Sequence, residues 1–130
     1  APLRIDPQVT IPARFGEQLA FIGYSFPEDR QTCDAELCRL LTYWQVDAPA
    51  ASPLSFFLHA VDEAGKIIAQ DDGLDAPARY WQAGDVLVQV HTLHLNHAEP
   101  AAVRLGIYDP QTGQRLLLAN GADHILFAFP

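Results

Sequence analysis

Three stretches of this 130-residue chain share one grammar, in which apolar residues lead into or out of a reversal rich in Gly, Pro or Asp. Residues 54–62 run into His59-Ala-Val-Asp-Glu-Ala-Gly65, residues 71–81 form an acidic segment closing on Tyr80-Trp81, and residues 103–116 pass through Gly106-Ile-Tyr-Asp-Pro-Gln-Thr-Gly113. Antiparallel strands need this punctuation to turn back on one another, so the chain is constrained towards an all-β fold.

The rest of the pattern agrees. Strands are predicted over residues 18–26, 37–46, 54–61, 66–70, 86–95, 102–108, 114–118 and 124–129, and the only candidate helical turn is residues 32–37, with Thr32 as its cap. Residues 86–95 alternate cleanly: Val86, Val88, Val90, Thr92 and His94 share one face, and Leu87, Gln89, His91, Leu93 and Leu95 the other. Both faces are partly apolar, which predicts a strand inside a sheet rather than at its edge. Nearly all of the ten prolines fall between these segments, where a missing N–H breaks no ladder bond. About eight strands with reversals every ten or so residues predict a two-sheet antiparallel β-sandwich of jelly-roll or immunoglobulin-like type.

At this length, with 49% hydrophobic residues and no internal repeat or linker, residues 1–130 read as a single domain with one core. The sequence neither begins with Met nor contains one, which is compatible with a piece of a longer polypeptide. Sixteen acidic and eight basic side chains give a net charge of −8, so nucleic acid and anionic lipid are poor partners. No apolar run approaches the roughly 20 residues that cross a bilayer, so direct membrane insertion is not expected.

Cys33 and Cys38, the two cysteines, read either as a short-loop disulfide, worth roughly 2 kcal/mol in a loop-closure estimate, or as two reduced thiols. His91, His94 and His97 are three apart, so in a strand neighbours point to opposite faces; three-ligand zinc binding is not expected, and exposed histidines are the default. Asp71, Asp72 and Asp75 put three carboxylates into five residues read as loop, the hard oxygen density that calcium takes; the alternative is a solvated acidic loop. Tyr80 and Trp81 beside Asp71 and Asp72 are the candidate ligand-binding set, because an aromatic face next to carboxylates suits sugar C–H groups and hydroxyls. Trp81 reads equally as a plug at one end of the sandwich, and Trp44 as core. Ser25, Ser52 and Ser55 lie in no Gly-x-Ser-x-Gly context, and no catalytic residue is assigned.

The ordered blocks Phe15-Gly-Glu-Gln-Leu-Ala-Phe-Ile-Gly-Tyr24, Leu41-Thr-Tyr-Trp-Gln45, Phe56-Phe-Leu-His-Ala-Val-Asp62, Ala69-Gln-Asp-Asp72, Trp81-Gln-Ala-Gly-Asp85 and Leu105-Gly-Ile-Tyr-Asp-Pro-Gln-Thr-Gly-Gln-Arg-Leu116 resemble a bacterial β-sandwich domain. That domain forms the extracytoplasmic C-terminal part of multi-pass membrane proteins similar to dolichyl-phosphate-mannose-type glycosyltransferases. The cysteine pair and the Ala-rich segment 47–51 depart from the family pattern. The resemblance implies a non-catalytic accessory domain outside the membrane, held by a membrane-anchored parent chain.

Two functions follow as expectations. One is a carbohydrate-binding module, with a glycan or the membrane portion of the parent as partner, no cofactor beyond calcium, and an exposed Trp81. The other is a structural or protein-interaction sandwich without a small-molecule ligand, and with Trp81 buried.

Overall fold

A computed structural model of the chain describes residues 13–25, 34–49, 53–73 and 81–129. Eight strands appear among them: β1 (Ala13–Phe15), β2 (Leu19–Ser25), β3 (Leu37–Val46), β4 (Ser55–Val61), β5 (Ile67–Gly73), β6 (Val86–His94), β7 (Ala102–Tyr108) and β8 (Ile125–Ala128). They form two antiparallel four-stranded sheets, ordered β1-β2-β3-β6 and β5-β4-β7-β8, and so a β-sandwich.

The alternation of β3 places Cys38, Leu40, Thr42, Trp44 and Val46 inside, all fully buried. From the second sheet Phe56, Leu58 and Ala60 of β4 meet Val103, Leu105 and Ile107 of β7. The layers join where Trp44 stacks on Phe56, with centroids 4.7 Å apart, and where Phe127 stacks on Tyr24 at 4.1 Å. Burial of such aromatic pairs is the main source of cohesion in a sandwich of this size.

One connected hydrogen-bond network is built into this core. The Trp44 indole N–H donates to Thr42 Oγ1 at 2.8 Å, and Thr42 Oγ1 lies 2.7 Å from His91 Nε2. With the hydroxyl accepting from Trp44 and donating to Nε2, the imidazole is neutral, and burial pushes the His91 pKa down to about 3.

Several expectations change. Residues 34–36 form no helical turn; Asp34 Oδ1 instead accepts the N–H groups of Glu36 and Leu37 and leads straight into β3. Those two bonds hold the Asp34 carboxyl below its usual range. Thr32, Cys33 and Phe26 lie outside the described residues. Residues 114–118 make an isolated bridge, Arg115 to Tyr108, rather than a strand. β5 runs on through Asp71 and Asp72 to Gly73, because these residues pair with Leu58, Phe57 and Phe56 of β4. Finally, β6 lies at the edge of its sheet, paired on one side with β3.

Candidate functional site

That edge position changes the meaning of the alternation in β6. Gln89, His91 and Leu93 point inward and are buried, whereas Val86, Val88 and Val90 point outward and remain 61%, 49% and 44% exposed. The register with β3 sets Gln45, Tyr43 and Leu41 directly beside the three valines. Leu41 and Tyr43 are half-buried, and across β3 the Tyr43 hydroxyl lies 3.0 Å from Ser25 Oγ of β2. A β-bulge at Ile22 leaves that side chain half-buried as well. The outer face of the first sheet is therefore an apolar band, from Ile22 through Leu41 and Tyr43 to the three valines.

No Asp, Glu, Lys or Arg interrupts β6, whose sequence is VLVQVHTLH; on the outer face the exposed His94 and the exposed Arg39 of β3 follow Val90 and Leu41 at one end of the row. Charged residues gather instead at the two ends of the band. Backbone hydrogen bonds from Asp47 to Gln18 and from Gly84 to Val46 draw together the loops that carry Glu17, Asp47 and Asp85. At the other end the N–H of Asp34 donates to the Leu37 carbonyl, and those of Leu95 and Asn96 to the Glu36 carbonyl, which brings Asp34 and Glu36 beside the end of β6. Asp47 accepts from Arg14 at 3.1 Å, and Glu36 pairs with His97 at 3.2 Å.

Those of the residues singled out from the sequence that the structure describes are dispersed. Trp81 is 4% exposed and belongs to the core cluster, so it offers no stacking face. Asp71 and Asp72 are successive strand residues on opposite faces of β5, not loop ligands side by side. Asp71 Oδ2 accepts the backbone N–H of Thr92 on β6 at 2.8 Å, and Asp72 turns to the outer side, 3.9 Å from His59 Nε2. Tyr80 and Asp75 lie outside the described residues, among which no group of three or more His, Cys, Asp or Glu side chains could hold a metal ion. Of the three spaced histidines, His91 is in the core rather than exposed, His94 is exposed on the outer face, and His97 sits in the turn after β6 with φ +67°. Cys38 is fully buried and disulfide-bonded; the one other cysteine of the chain, Cys33, lies outside the described residues.

The apolar band was missed because a strand apolar on both sides reads as an interior strand. The signal that finds it is the combination of that apolarity with an edge position, since an edge strand whose outer side chains are not needed for the core ordinarily carries charge.

The chain matches no protein-family model and no curated protein. Among the described residues no helix is long and apolar enough to cross a membrane.

Proposed function

We propose that this domain is a non-catalytic interaction module that docks a partner protein through the outer face of the sheet β1-β2-β3-β6. The observation that carries the reading is the exposed row Val86, Val88 and Val90, continuous with Tyr43 and Leu41. These valines contribute nothing to the sandwich core, and a contiguous exposed apolar band with a polar rim is the usual form of a protein-binding surface.

Charge complementarity narrows the partner. The band is closed at its ends by Glu17, Asp47 and Asp85 and by Asp34 and Glu36, of which Asp47 and Glu36 are paired with Arg14 and His97, and Arg39 is exposed on the same face. With a chain net charge of −8 the balance still favours a complementary surface with an apolar centre and a mainly basic border. In the accessory-domain reading drawn from the family resemblance, that surface belongs to the parent membrane protein. The carbohydrate reading has less support, because those of its named residues that the structure describes, Trp81, Asp71 and Asp72, do not converge.

The test is site-specific photocrosslinking in the protein's own cells, with p-benzoylphenylalanine at Val88 and, as control, at Gln111 in the opposite sheet's long connection. Docking predicts one dominant crosslink from Val88 to an apolar segment flanked by basic residues, lost in Val86→Lys/Val90→Lys and absent from position 111. Crosslinking at Val88 no greater than at Gln111, or only to a second copy of this chain, overturns the reading.

A further inference from the structure

The opposite side of the sandwich carries a second arrangement. On β4 the residues Phe57 and His59 alternate away from the core, yet Phe57 is 3% exposed and the His59 side chain 12%. What covers them is the connection between β7 and β8. Arg115 lays its guanidinium 4.2 Å from the centre of the Phe57 ring, and Asp123 holds it there through Nη1 at 3.2 Å. Asp123 Oδ1 also accepts from His124 Nδ1 at 2.8 Å, and the two donors, His124 first, hold its carboxyl below the usual range. Gly106 makes the close approach feasible, since a Cβ there would meet the Phe57 ring at 2.3 Å.

Arg104 is the odd member of this face. It is half-buried on β7, paired in register with His59 on β4, and its Nη2 donates to the Gly65 carbonyl at a long 3.4 Å. Among the described residues no carboxylate lies within ion-pair distance of it, whereas the other guanidinium of the cluster, Arg115, is paired with Asp123. Most of its five N–H donors therefore make no bond within the protein, and since no buried side-chain nitrogen among the described residues lacks a partner, they reach solvent, where an arriving anion can take them. Around the cluster lie the carboxylates Asp72 and Asp123, and the adjacent turn carries Asp62 and Glu63 as well as Lys66.

We propose that Arg104, His59 and Arg115 form a binding site for a small oxyanion, a carboxylate or a phosphate, on the outer face of the sheet β5-β4-β7-β8. Arg104 supplies a planar fork of donors, which matches the oxygens of either group. His59 Nε2 is 3.9 Å from Asp72, too far for a hydrogen bond, and so is available to the ligand. Phe57, under Arg115, forms the floor. The site is independent of the docking band, which lies on the other sheet.

His59 reports occupancy. Burial depresses its pKa, Asp72 on β5 opposes that, and Arg115, Arg104 and His124 add to it. A bound anion favours the imidazolium, so the pKa of His59 rises on binding. The experiment follows the His59 ring resonances by NMR across pH in inorganic phosphate, in acetate, and in chloride at the same ionic strength. A saturable rise in phosphate or acetate beyond chloride is expected, and the anion that produces it identifies the chemistry. The rise should vanish in Arg104→Gln and persist in Arg39→Gln, which alters the other sheet. Identical titrations in all three salts overturn the proposal, as does equal loss in both variants. If Arg104→Gln does not fold, the wild-type comparison still decides.

Discussion

Asp71 on β5 and Thr92 on β6 join the edges of the two sheets, the carboxylate oxygen accepting the Thr92 backbone N–H at 2.8 Å. The bond works in two ways. It satisfies an edge N–H of β6 that no neighbouring strand reaches, and it closes the open side of the sandwich.

Replacing Asp71 by Ala should cost about 1–3 kcal/mol, the range for leaving a partly buried donor unsatisfied, while Asp71→Asn, which keeps an acceptor oxygen, should cost less. Urea unfolding of the three proteins checks this. Equal losses in both variants would show that charge rather than hydrogen bonding sets the contribution.

His91 gives the fold a defined acid limit. Its pKa falls from 6.5 to about 3 on folding, so between those values the unfolded chain binds the proton and the native state does not. The contribution is therefore complete above pH 6.5 and is lost as pH drops, by up to about 1.4 kcal/mol per unit. Unfolding free energies measured from pH 7 to pH 4 should show this slope, and His91→Gln, which cannot titrate, should flatten it. The same slope in both proteins would assign acid sensitivity to other groups.

The faces of the strands were legible and their neighbours were not. In β3 and β7 the alternation defines both the strand limits and the inward side, because a period of two is a local property. Asp71-Asp72-Gly73 reads locally as a turn, but pairing with Phe57 and Leu58 draws it into β5. Likewise nothing within residues 86–95 reveals that only β3 flanks them. Strand order is decided by contacts distant in sequence, and both the docking band and the Asp71 clasp are consequences of that order. Asp71 and Asp72 part for the same reason, since adjacent residues of a strand face opposite ways.

Gly106 tests the seating of Phe57. A methyl group there meets two Phe57 ring carbons at 2.3 Å and the Asp123 carbonyl oxygen at 2.8 Å. Gly106→Ala should destabilise the domain by about 1–3 kcal/mol through overpacking. Shrinking the ring should relieve part of the strain, so Gly106→Ala/Phe57→Leu should cost less than the sum of its single variants. Strict additivity in chemical denaturation would place the strain at Asp123 instead.

The valine band makes the opposite prediction for stability. Val86, Val88 and Val90 project from the outer side of an edge strand at 61%, 49% and 44% exposure, so a lysine at any one of them can extend into water without opening a cavity. Val88→Lys should change the unfolding free energy by no more than about 0.5 kcal/mol, the usual range for surface substitutions. Leu58→Ala, in the fully buried row of β4, should cost about 2–5 kcal/mol. Thermal and urea unfolding of the two variants separate the cases. A Val86→Lys/Val90→Lys protein as stable as the parent but defective in photocrosslinking from position 88 would locate the valines' role in association. A loss approaching that of Leu58→Ala would mean that the band is part of the domain's own packing.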